Sequence, residues 1–146
     1  MTINDPYQLF RFTEAQASVY KTALMELQNG NKQSHWMWFI FPQLKELGFS
    51  STAKFYGIKG FAEAKAYLQH PLLRERLEEC VKAVLNCKAK NPVEIFGYPD
   101  HLKFHSSLTL FALAEPENIL FKQALEKFYQ GITDFETENI IAKEKR

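Results

Sequence analysis

Residues 31–42 read Asn-Lys-Gln-Ser-His-Trp-Met-Trp-Phe-Ile-Phe-Pro, and how they are read decides the fold. The block holds both tryptophans of the chain, Trp36 and Trp38, behind a polar lead of Lys32, Ser34 and His35. It is apolar on all sides, so periodicity alone does not separate a buried helix from a buried strand. Ser34 offers an N-cap and the flanking segments are helical, so the block is read as a helix starting there. Its rings either enter an ordinary core or form the floor of a binding site, because large rings bury area and also stack on flat ligands.

Outward from this block the period stays helical. Asp5-Pro6 reads as an N-cap with proline at the first helical position, opening a short helix over Tyr7–Phe12. Thr13 and Gln16 have capping-box spacing, and Ala15, Val19, Ala23, Leu24 and Leu27 form one apolar stripe up to Asn29-Gly30. Downstream, Pro42 begins a brief segment closed by Gly48, and Ser50-Ser51 precede a short turn ending at Tyr56-Gly57. Phe61–Gln69 reads as a helix, stopped before Pro71. Pro71 opens a longer one with Leu73, Leu77, Cys80, Val81, Val84 and Leu85 on its inner face. Asn91-Pro92 starts a turn ended by Gly97, Asp100 caps a helix running to about Ala114, and Pro116 starts another ended by Gly131. Asp134 caps a last helix. No alternating strand pattern appears. The expectation is an all-α fold, one domain over 1–146 of roughly eight helices, several short, with about 135–146 a frayed tail.

Composition sets the function classes. With 146 residues, 46% hydrophobic and 24% charged, the chain has the balance of a soluble single domain. Its net charge of +1 gives no electrostatic pointer to nucleic acid or to an anionic membrane surface. No apolar run reaches membrane-spanning length and the first residues do not read as a secretory signal, so the expected location is the cytoplasm. Cys80 and Cys87 are seven residues apart, too far along one helix for a disulfide. The histidines and cysteines show no zinc spacing, and no cofactor motif is present.

Three clusters carry candidate chemistry. In the first, Lys32, Ser34, His35, Trp36 and Trp38 combine a cation, a hydroxyl and stacking rings at a helix start, which is a natural anion site. The plainer reading is a cap plus core aromatics. In the second, Tyr98-Pro99-Asp100 leads to Lys103, Ser106, Ser107 and Thr109. Lys103 and Ser107 share a helix face that could grip a phosphate or carboxylate. Alternatively the hydroxyls bond back to their own helix and allow close packing. In the third, Tyr56-Gly57 is followed by Glu63 among alanines. Turned inward, Glu63 would have a raised pKa and could serve as general acid or base. His101 and His105 have the spacing of a metal edge but lack a third ligand nearby and read as surface.

Taken together, Asp5-Pro6-Tyr7, Arg11-Phe12, Ala15-Gln16, Tyr20, Ser34–Gln43, Tyr56-Gly57-Ile58, Glu63-Ala64, His70-Pro71-Leu72, Ile95-Phe96-Gly97, Pro99-Asp100, Lys103 and Ser106-Ser107 resemble the domain of unknown function 1810 family across nearly the whole chain. The family pattern has methionine where this chain has Leu108. The resemblance implies a mainly helical fold and supports these site residues; the family has no established activity. A fainter likeness, without a shared contiguous motif, is to the YbiA-type N-glycosidase family. The functional expectation is a pocket for a small anionic, ring-bearing, nucleotide-like metabolite. Lys32, Ser34, Trp36, Trp38, Tyr56, Lys103, Ser106 and Ser107 would bind it. If there is catalysis, Glu63, His35 or Asp100 would move protons in hydrolysis of a glycosidic bond. The alternatives are a non-catalytic interaction or ligand-binding module, and an oligomer held through Phe49, Phe55 or Tyr129.

Overall fold

A computed structural model describes residues 5–144. Among them the only regular elements are helices, joined at one point by an isolated parallel bridge between Leu44 and Ile58. Ten α-helices run in order: α1 Phe10–Ala17, α2 Tyr20–Gln28, α3 Met37–Ile40, α4 Ser51–Phe55, α5 Phe61–Gln69, α6 Pro71–Asn86, α7 Pro92–Phe96, α8 Asp100–Ala114, α9 Ile119–Tyr129 and α10 Phe135–Glu144. A single 3-10 turn, Lys45–Leu47, lies between α3 and α4. The count exceeds the expected eight because several turns close into helices of five residues or fewer.

α8 organises the rest. It is buried almost all round, through Phe104, Leu108, Leu110, Phe111 and Ala112, so it needs partners on every side. It packs on α5, α7, α9 and α10, while α6 lies across α2, α5 and α9. Phe41 bridges the two halves of the sequence. Its ring centroid stands 4.8 Å from Phe104 and 5.9 Å from Phe96, so the aromatic block is wedged against α7 and α8.

Some expected boundaries move, each for a local reason. Asp5 is not the N-cap, a position taken by Leu9; its carboxylate accepts the backbone N–H groups of Leu9 and Phe10 (2.8 and 3.0 Å) across a turn with Gln8 at φ 54°. The helix therefore starts at Phe10, not Tyr7, and runs through Thr13, whose hydroxyl bonds back to the Phe10 carbonyl. The stripe from Ala15 to Leu27 breaks at Ser18-Val19, both weak helix formers. Ser34 caps nothing: α3 begins at Met37 behind Trp36, and it ends at Ile40 because Phe41 precedes Pro42 and is pushed out of the helical region. Pro116 lies in a turn, and α9 starts beyond it at Ile119, capped by the Asn118 side chain (3.0 Å to the Leu120 N–H). Asp134 caps α10, taking the Thr137 N–H at 3.2 Å and its hydroxyl at 2.5 Å. Thr137 and Ile141 are buried on that helix.

Candidate functional site

The first two sequence clusters meet in space. Lys32 Nζ lies 2.9 Å from Asp100 Oδ2, and Lys103 Nζ lies 3.7 Å from Asp100 Oδ1. Lys103 also sits 5.5 Å from the ring centre of Trp38, and Lys32 lies 5.2 Å from that of Trp36. A carboxylate between two ammonium groups, each against an indole face, is a compact electrostatic unit. It joins the loop before α3 to the first turns of α8.

That loop is held in place by Glu26 of α2, which was not among the candidate site residues. Glu26 is buried, and its carboxylate accepts the N–H groups of Gln33 (2.8 Å) and Ser34 (3.0 Å), the Ser34 hydroxyl (2.6 Å) and the Trp36 indole N–H (2.9 Å). Burial alone would raise its pKa; the four donors outweigh it and bring the pKa down to about 2. Lys32 N–H, one residue earlier, bonds to the Ile95 carbonyl at 2.8 Å, tying the same loop to α7. The signal for Glu26 was readable: an acid three residues after Ala23 and beside Leu27 stands on an apolar stripe.

These bonds fix what the first cluster offers. Trp36 is 1% exposed and Ser34 points back at Glu26, while Trp38 is half-buried and does not line the hollow beside Lys103. His35 is exposed and lines neither the hollow beside Lys103 nor the one beside Glu63.

A hollow of about 440 Å³ lies beside Lys103. Its apolar lining includes Leu47, Phe49, Pro99 and Leu102, and its polar groups come from Gln43, Ser50, Lys103, Ser106, Asp134 and Glu136. Phe49 stands at its rim, 95% exposed. Ser106 donates to Asp134 Oδ2 at 2.9 Å while touching its own helix at the Leu102 carbonyl, and Asp134 N–H reaches the Thr109 hydroxyl at 2.9 Å. Thr109 and Ser106 both bond back to their own helix, at the His105 and Leu102 carbonyls, and Ser106 also lines the hollow. Ser107 is buried and does not line the hollow. Leu102 and Lys103 bring α8 to one wall, and Asp134 and Glu136 bring the entry of α10 to the same space.

The third cluster lies elsewhere. Glu63 is turned inward, as one of its two readings had it, but not as a lone acid. Its Oε2 takes Nη2 of Arg11 at 2.6 Å and its Oε1 takes the Lys59 N–H at 2.9 Å. Arg11 gives its remaining bonds to the carbonyls of Phe55, Tyr7, Gln8 and Gly57. The guanidinium thus staples the first turn to α4 and α5. A second open hollow, about 640 Å³, has Glu63 in its lining together with Lys59, Lys65 and Glu144. It shares no residue with the Lys103 hollow. Tyr56 is half-buried and packs its ring on Phe39 and Phe55 at 5.2 and 4.8 Å. His101 and His105 turn to separate carbonyls, those of Gly97 and Ile132, and His105 stacks on Tyr129 at 4.0 Å. Among the described residues, no three His, Cys, Asp or Glu side chains stand together as a metal site. No described helix is long and apolar enough to cross a membrane.

The model of the family described as "Protein of unknown function (DUF1810)" matches residues 6–141. The chain belongs to that family. It is also similar to the conserved hypothetical protein Rv1873 from Mycobacterium tuberculosis, known from a crystal structure at 1.38 Å. The two are 49% identical, with a TM-score of 0.92 over 94% of this chain and 99% of that one. No curated protein matches the chain.

Proposed function

We propose that this DUF1810 chain is a ligand-binding module whose site is the hollow beside Lys103, and that its ligand is a small ring-bearing molecule with an anionic group. The carrying observation is the asymmetry between the two lysines. The Lys32 side chain is 8% exposed and in close contact with Asp100, whereas that of Lys103 is 25% exposed, stands farther from that carboxylate and lines the hollow. A ligand anion therefore needs only to draw Lys103 away from a long contact. Leu47, Pro99, Leu102 and the rim ring of Phe49 supply apolar surface for a flat group, and the volume falls in the ordinary range of small-molecule sites.

Binding rather than glycosidic hydrolysis is the better reading, because the candidate acids are committed elsewhere. Glu63 is paired with Arg11 outside this hollow, Asp100 is shared by two lysines, and His35 stands apart. Titration calorimetry with nucleoside monophosphates and aromatic carboxylates tests the proposal. At least one should bind to the wild-type chain, and Lys103→Ala should weaken it about tenfold, the loss of one charge-assisted hydrogen bond. No heat from any member of the panel, or equal binding by the variant, sinks it.

A further inference from the structure

The charges around the Lys103 hollow do not match a polyanion. One cation, Lys103, and two carboxylates, Asp134 and Glu136, line the same space. Behind Lys103, the contact of Lys32 with Asp100 adds a cation and an anion that offset each other. A triphosphate would meet one ammonium and two like charges, an unfavourable balance at any separation inside a Debye length of about 8 Å.

The two carboxylates also differ in how far they are used. The bonds that Asp134 makes to Ser106 and to Thr137 all fall on Oδ2, and none of them uses Oδ1. Glu136 is exposed and has none of the side-chain bonds that hold Asp134. Ser50, also in the lining, accepts the Ala53 N–H at 3.0 Å, which leaves its own hydroxyl hydrogen out of that bond. A lining that holds a cation from α8, two carboxylates from the entry of α10 and the apolar groups of Leu47, Phe49, Pro99 and Leu102 suits a molecule carrying both charges and a ring.

Resting on the binding reading above, we propose that the hollow takes an aromatic zwitterion of α-amino-acid type. Its carboxylate meets Lys103, its ammonium meets Glu136 and Asp134 Oδ1, and its ring lies against Leu102, Pro99 and Phe49. The ligand is recognised by the separation of its two charges, and phosphate-rich nucleotides are rejected.

Calorimetry with four probes decides the matter: L-tryptophan, N-acetyl-L-tryptophan, tryptamine and ATP. L-Tryptophan should bind tightest, and each singly charged analogue should bind at least tenfold more weakly. In Glu136→Gln the preference for L-tryptophan over its N-acetyl form should shrink several-fold, while the far-ultraviolet circular dichroism stays that of the wild type. If N-acetyl-L-tryptophan or ATP binds as tightly as L-tryptophan, or if Glu136→Gln leaves the preference intact, the zwitterion inference fails and the anion-binding reading stands. If no probe binds, and the wider panel is silent too, both fail together.

Discussion

Two ion pairs divide this molecule, and they are used in opposite ways. At one, Arg11 and Glu63 meet at 2.6 Å with both side chains almost wholly out of water, and bonds to four backbone carbonyls and one N–H complete the network. At the other, Lys103 and Asp100 stand 3.7 Å apart, part-exposed, at the edge of a hollow. The residue types are alike; the degree of completion is not. A buried charge network tolerates no vacancy, because removing one member leaves the other desolvated and unpaired. A partly satisfied pair at a surface loses little when it opens. The first therefore holds the fold, and the second can open at little cost.

The largest effect should come from breaking the complete network. Glu63→Ala leaves the Arg11 guanidinium buried without its counter-charge and orphans the Lys59 N–H, so the loss of unfolding free energy should be about 3–5 kcal/mol. Urea denaturation would measure it. Replacing both partners together, Arg11→Met with Glu63→Leu, should cost clearly less than the single change, because no charge is then left unpaired. A single change worth under ~1 kcal/mol would break the comparison at its strong end.

The next effect is a pH dependence centred on Glu26, which sits between the two extremes. It is buried and fully bonded like Glu63, yet what it holds is the loop that carries Lys32 towards Asp100. Its pKa is depressed on folding, from about 4.5 to about 2, so its contribution is complete above about 4.5 and is lost as the pH falls towards about 2. The shift corresponds to roughly 3 kcal/mol. In Glu26→Gln the stability above about pH 4.5 should be lower, and the fall between about 4.5 and about 2 should flatten relative to the wild type. Acid titrations of both proteins, followed by circular dichroism, would show it. Parallel curves would mean that the bonds around Glu26 do not depend on its charge.

The same contrast explains what could be read from the chain in advance. Helices defined by local signals were legible: α5 over Phe61–Gln69, α6 behind Pro71, and α7 between Asn91 and Gly97, where a cap, a proline or a glycine marks each end. Ser34 misled because its hydroxyl has two possible uses. As a cap it would serve its own helix; in the fold it serves Glu26, eight residues back, a contact no local pattern encodes. Arg11 escaped notice for the same reason, since its partners lie 44 to 52 residues away in sequence as well as one turn away. Lys32, Asp100, Lys103 and Ser106 could be singled out in the sequence as cations, an acid and a hydroxyl close to aromatic residues. Their separation into a locked lysine and a looser one was not, since it depends on the loop before α3 meeting the start of α8. Asp134 was read only as a cap and Glu136 not at all, although both face the hollow.

The smallest effect sharpens the comparison most. Lys103→Ala removes a cation whose nearest carboxylate is 3.7 Å away and already in contact with Lys32. Its stability cost should stay within about 0.5 kcal/mol, because Asp100 keeps a partner and no buried group is orphaned. The fall in ligand binding expected of the same variant then cannot be ascribed to unfolding. Lys32→Ala should behave differently: it takes the close partner from Asp100 and the cation from the Trp36 ring, so it should cost more in stability than Lys103→Ala. Denaturation of the two variants side by side measures the difference. Equal costs would mean that the shorter, more buried contact holds no more than the longer one, and the separation of a structural lysine from a ligand lysine would collapse.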